Sequence, residues 1–121
     1  MGEEAKARLA VMMLLTLRGT PVLYYGDEIG LPEVEIGPER VRDVRPGRGW
    51  QDKVVTRRTP MHWTSDPGGG FTAATATPWL PLGDYRALSV TAQKDDGASV
   101  LRLCRNLIAL RKTVSELRSG A

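Results

Sequence analysis

Asp27 and Glu28 are adjacent carboxylates that follow a short apolar run, Val22, Leu23, Tyr24 and Tyr25, closed by Gly26. A carboxylate pair suggests acid/base or glycosidic chemistry, in which one group gives a proton while the other attacks or activates. Neighbouring residues on a strand project to opposite faces, however. By themselves Asp27 and Glu28 do not flank one glycosidic bond at the roughly 5–9 Å separation that hydrolysis needs. The pair reads instead as one carboxylate in a local hydrogen-bond network and one at a rim. Other reactive side chains are few. One histidine, His62, rules out a multi-histidine metal site within the chain. One cysteine, Cys104, rules out an internal disulfide and a multi-cysteine zinc site. The sequence therefore offers no complete catalytic set, and no metal or cofactor is expected.

The elements that would position these residues lie at the two ends of the chain. From about Glu3 to Arg18 the sequence reads as a helix, with acidic residues in its first turn. Its second half is apolar nearly all round, so it expects neighbours on more than one face. Gly19 is its natural C-terminal cap and Pro21 stops it. Residues 22–25 then read as a strand buried on both faces, as in a parallel sheet covered by helices. A second helix runs from about Ala98 to Lys112, with a stripe of Val100, Leu103, Cys104, Leu107, Ile108 and Leu110. Asp96 or Ser99 can cap its start, while Arg111 and Lys112 suit its own C-terminal end. Between strand and second helix, 31–97 shows only Pro and Gly punctuation. A stretch that long without periodicity argues against a self-contained domain, and one strand is not a sheet. The fold class is α/β, and the chain reads as a slice of a larger domain.

Composition narrows the function classes. The 121 residues are 41% hydrophobic and 26% charged, which indicates a globular chain. The apolar run at 9–17 is about half the length of a membrane span, and Glu3 and Glu4 stand where a secretory segment is basic. No membrane partner and a cytoplasmic location are expected. The net charge of +3 raises a nucleic-acid reading. Seven basic residues (Arg40, Arg42, Arg45, Arg48, Lys53, Arg57 and Arg58) fall between 40 and 58. Glu39, Asp43 and Asp52 interrupt them, and Trp50 is the one aromatic inside the cluster. A solvated polar loop accounts for this pattern better than a phosphate-tracking stripe. No nucleic-acid partner is expected.

Four stretches together carry a resemblance. The run GTPVLYYGDEIG at 19–30 resembles the eighth barrel strand of the alpha-amylase family of glycoside hydrolases, closest to its alpha-glucosidase and oligo-1,6-glucosidase branch. The run RTPMHW at 58–63 is similar to that branch's R-T-P-M-x-W signature in the loop after that strand. Gly70, Phe71 and Thr72 follow, then Pro78, Trp79, Leu80 and Pro81, and LIALRK at 107–112 looks like the last barrel helix. The resemblance implies the C-terminal slice of a TIM (β/α)8 barrel, incomplete as a domain. In it 1–18 is the seventh helix, 19–30 the eighth strand, 31–97 the long loop and 98–112 the eighth helix. It also implies a retaining mechanism whose aspartate nucleophile, glutamate acid/base and stabilising aspartate all lie upstream of Met1. The family's C-terminal β-domain is likewise missing after Ala121.

No catalytic residue is therefore carried over, and the chain alone is expected to be inactive. Arg58 matches the loop arginine that approaches the aglycone side of the pocket, and Glu28 and Glu35 are further rim contacts. The implied partners are an alpha-glucoside in the full-length enzyme and the rest of the barrel for folding. There are departures. His62 stands where the family usually has Gln or Pro and reads as a substituted loop residue, not a base. The approach at Thr56 and Arg57 lacks the usual acidic or glycine residue. Cys104 replaces an aromatic and reads as a small buried hydrophobe. Trp50, Trp63 and Trp79 could stack on sugars, with Trp63 and Trp79 expected mainly to anchor the loop. The alternative is a small basic module binding nucleic acid or carbohydrate.

Overall fold

The computed structural model describes residues 2–42 and 58–119. Helix α1, Glu3–Thr16, opens with Glu3 and Glu4, and Glu3 pairs with Lys6 at 2.6 Å one turn on. Helix α3, Val100–Thr113, starts where Ser99 Oγ accepts the Arg102 N–H at 3.1 Å, satisfying a donor that the helix leaves open. A short helix α2, Val90–Gln93, precedes it, and a single turn α4, Glu116–Ser119, follows. The two long helices pack through Val11 and Leu15 of α1 against Val100 and Cys104 of α3, with Leu23, Leu107 and Ile108 around them. Contacts at both ends set their relative direction. Arg8 Nη1 donates to Ala98 O beside the start of α3, and Arg111 at its end reaches the end of α1. The helices therefore run parallel. A parallel pair needs a return segment between them, the connection typical of alternating α/β units.

Arg111 departs from its expected role. It does not serve its own helix but crosses to α1, where Nη1 donates to Leu15 O at 3.0 Å and Leu17 O at 2.9 Å, and Nη2 donates to Gly19 O. Leu15 lies in the last turn of α1 and Leu17 and Gly19 just beyond it, and that turn has no basic residue of its own. With them bound by a guanidinium, α1 ends at Thr16 and Leu17 is already extended at φ −71° and ψ 156°. Gly19, at φ +104°, lies beyond the helix and is not its immediate cap.

No strand occurs among the described residues, so the segment expected as a strand at 19–30 is not paired here. Only the polarity pattern remains: Leu23 rests on the α1–α3 core, while Val22 and Tyr24 are exposed. A strand exists by pairing with a neighbour, and the described residues supply none. The end of that segment is a 3₁₀ turn, Asp27–Ile29, flanked by Gly26 and Gly30 in left-handed conformations. At Gly26 a Cβ would stand 2.8 Å from Leu31 Cδ2, so the turn needs glycine there.

Much of 58–97 is pinned to this frame despite lacking periodicity. Ile29, Met61 and Leu101 form a second buried cluster, backed by Leu31 and Val90. Gln93 locks it: its Nε2 donates to Ile29 O at 2.8 Å and its Oε1 accepts the Leu101 N–H at 3.1 Å. Ile36 and Leu80 form a third cluster, touched by Val41. Among the described residues, no helix is long and apolar enough to cross a membrane.

Candidate functional site

The 3₁₀ turn sends its two carboxylates to different places. Asp27 Oδ2 accepts the Tyr24 N–H at 2.9 Å, and Glu28 Oε2 accepts the Gly26 N–H at 2.8 Å. Each is therefore partly spent on the local backbone. Glu28 lines a cavity of about 630 Å³, whereas Asp27 lines a separate cleft beside α1. The cavity that Glu28 lines is also formed by Tyr25, Arg58, Met61, Trp63, Phe71 and Trp79. Its size suits a small ligand, and its make-up of aromatic faces with a few polar groups is typical of ligand sites.

Several local devices hold its walls. The Tyr25 hydroxyl donates to Thr59 O at 3.1 Å, joining the end of the apolar run to the residue after Arg58. Burial pushes the Tyr25 phenol above its ordinary value, Tyr24 adds to this, and the positive charge of Arg58 opposes it. Across the site, Trp63 N–H donates to Gly69 O at 2.8 Å and Trp63 O accepts the Thr91 N–H at 3.1 Å. The intervening loop turns back through Gly68, Gly69 and Gly70, all at positive φ, which brings Phe71 into the cavity wall. On the opposite wall the Arg42 guanidinium lies 4.8 Å from the centre of the Trp79 ring. Trp63 and Trp79 remain 50% and 46% exposed, so neither is a fully buried anchor.

The residues singled out by sequence fall unevenly on this cavity. Arg58 and Glu28 line it together; Glu35 is exposed and does not. His62 lies directly behind the wall, wholly buried, with both ring nitrogens held by backbone groups, so it has no access to a substrate proton. Trp50, Arg45, Arg48, Lys53 and Arg57 lie outside the described residues. Tyr25 and Phe71 went unmarked by sequence reasoning. Tyr25 carried a usable signal, a hydroxyl closing an apolar run, and Phe71 carried one in the triple glycine before it.

Cys104 sits in the α1–α3 core at 2% exposure. Burial pushes its thiol up, with the negative charges of Glu28 and Asp27 adding to the effect, so it stays an unreactive thiol. Among the described residues no group of three His, Cys, Asp or Glu could hold a metal ion. Among the described residues, Glu28 is the carboxylate that lines this cavity, beside Arg58 and an apolar wall.

Comparison with known proteins gives a consistent result. A probable alpha-glucosidase of Rhizobium meliloti (strain 1021) is 39% identical over 120 residues, 97% of this chain and 21% of that protein. A probable oligo-1,6-glucosidase 3 of Bacillus subtilis (strain 168) is 31% identical over 98% of this chain and 24% of its own length. The crystal structure of the alpha-glucosyl transfer enzyme XgtA superposes with a TM-score of 0.81 at 41% identity, covering 98% of this chain and 22% of that one. The chain thus spans between a fifth and a quarter of the length of these three proteins. The profile of the alpha amylase catalytic domain matches residues 1–120, and the chain belongs to that family.

Proposed function

We propose that this chain is the C-terminal slice of the (β/α)8 barrel of an alpha-glucosidase-type glycoside hydrolase acting on alpha-glucosidic bonds of small oligosaccharides. In that assignment α1 is the seventh helix, residues 19–30 take the place of the eighth strand, and α3 is the eighth helix. Bond cleavage belongs to carboxylates on preceding strands, and this segment supplies the aglycone wall of the pocket. The observation that carries the reading is the cavity itself, where Arg58 and Glu28 meet among Tyr25, Trp63, Phe71 and Trp79. Guanidinium and carboxylate groups bind sugar hydroxyls, and aromatic faces suit the apolar faces of sugar rings. The parallel α1 and α3 fit neighbouring helices of a barrel. The exposed Leu9, Met12, Met13 and Leu17 of α1 would be covered by the elements preceding it.

The test splices residues 1–120 into the Rhizobium meliloti relative in place of its matching segment and follows release of nitrophenol from an alpha-glucoside. The 121-residue chain is expected to give no turnover, and the spliced barrel to turn over within about tenfold of the intact host. Turnover by the chain alone would sink the reading. So would a spliced barrel that folds and stays inert while the host is active. The exposure of Trp63 and Trp79 favours one second reading, a carbohydrate-binding piece. It predicts maltose or isomaltose binding by the chain alone, lost on replacing either tryptophan.

A further inference from the structure

His62 is fully buried, and its hydrogen bonds fix its protonation. Gly83 N–H can only donate, so Nε2, 3.2 Å away, must be the unprotonated acceptor. Nδ1, 2.8 Å from Leu88 O, then carries the proton and donates it. Only the neutral ring with hydrogen on Nδ1 satisfies both partners. The bonds join segments far apart in sequence. Residues 59–61 and Trp63, on either side of His62, form one wall of the cavity, and Leu80, three residues before Gly83, belongs to the other. The same place is held by Val90 N–H donating to His62 O at 3.1 Å. Gly83 is packed tightly there. A Cβ on it would stand 3.1 Å from Val34 Cγ2 and 3.3 Å from His62 Cε1.

We propose that His62 is an acid-sensitive latch: its neutral ring ties the two cavity walls together, and a proton on Nε2 releases the turn at Gly83. Protonation turns the one acceptor in this triad into a donor facing another donor. The Nδ1 bond to Leu88 O survives the change, so the release is confined to the Gly83 side. Titratable and charged groups face the ring from several segments. Asp84, next to Gly83, turns its Oδ1 to the Ala87 N–H. The Tyr85 ring meets the imidazole edge-on with centroids 6.2 Å apart, and Arg86 lies over that same tyrosine. Glu33 and Glu35 flank Val34 and are exposed, as is Arg58 on the histidine's own segment. The latch concerns the wall of the cavity and holds whatever the cavity binds.

His62 is the chain's one histidine, which makes the test direct. The full chain is studied alone and in the spliced barrel, with 15N-histidine confined to this segment. Long-range 1H–15N correlation at neutral pH should show the Nδ1–H form, the minority tautomer of free imidazole. On acidification the Gly83 amide should lose about tenfold in exchange protection, as expected for one lost hydrogen bond. Trp63 emission should shift with the same midpoint while the amides of α3 stay protected. His62→Gln keeps a donor and an acceptor without titrating, and should abolish the acid step in both signals. An Nε2–H tautomer would overturn the latch. So would an acid step retained in His62→Gln, or loss of α3 protection at the same pH. None of these readouts depends on turnover.

Discussion

Replacing Arg111 with methionine is expected to cost about 2–4 kcal/mol of stability, although the side chain touches neither the cavity nor any carboxylate. The reasoning begins at the end of α1. Its last carbonyls have no partners within the helix, and a helix end packed against a neighbour must find them elsewhere. Arg111 provides two nitrogens for three oxygens there, on Leu15 in the last turn and on Leu17 and Gly19 just beyond it. Methionine keeps most of the volume and the apolar stem but none of the donors. The Leu15 carbonyl is then left in the interface, at a cost of roughly 1–3 kcal/mol for an unsatisfied buried group. Leu17 and Gly19 are exposed and recover water, so they add less. Lysine, with a single ammonium, should restore less than half of the loss, because it cannot span oxygens spread over five residues. Urea unfolding of the spliced barrel reads all three proteins. A loss below 0.5 kcal/mol for Arg111→Met would show that the carbonyls find other partners.

Arg58→Ala in the spliced barrel should lower kcat/KM by about 10- to 100-fold, the range for losing charge-assisted hydrogen bonds to a bound ligand. The loss should fall mainly on KM, because Arg58 is placed at the aglycone wall and not among the carboxylates that break the bond. Arg58→Lys retains the charge without the planar fork and should recover only part of it. Arg58 is exposed, and circular dichroism of the variant checks that its fold is kept. An unchanged KM across several alpha-glucosides would remove Arg58 from the pocket's binding groups.

The periodic parts of the sequence carried more information than the reactive ones. The stripe over 98–112 lies on α3, and Ser99, one of two possible caps, is the residue whose hydroxyl caps it. Leu101 falls off that stripe because it serves a different cluster, with Ile29 and Met61. The apolar run at 22–25 was visible, but whether it becomes a strand depends on neighbours that periodicity cannot supply. Arg58 and Glu28 both line the cavity; Glu35, named beside Glu28 as a rim contact, does not. Arg111, Gln93 and His62 could not have been read. Each bonds backbone atoms far away along the chain, 96 residues for Arg111 and 64 for Gln93, and a backbone carbonyl leaves no mark in sequence. Side chains that hold a fold through main-chain partners are silent until the fold is known.

The buried thiol of Cys104 gives the helix pair a clock. It is sealed by Val11, Leu15 and Val100, so a thiol reagent reaches it only while α1 is lifted from α3. When each opening is brief, the rate of modification is the intrinsic thiol rate multiplied by the fraction of time the pair stands apart. A single native thiol thereby reports how firmly α1 and α3 are seated on each other, at concentrations and temperatures where no spectroscopic signal changes.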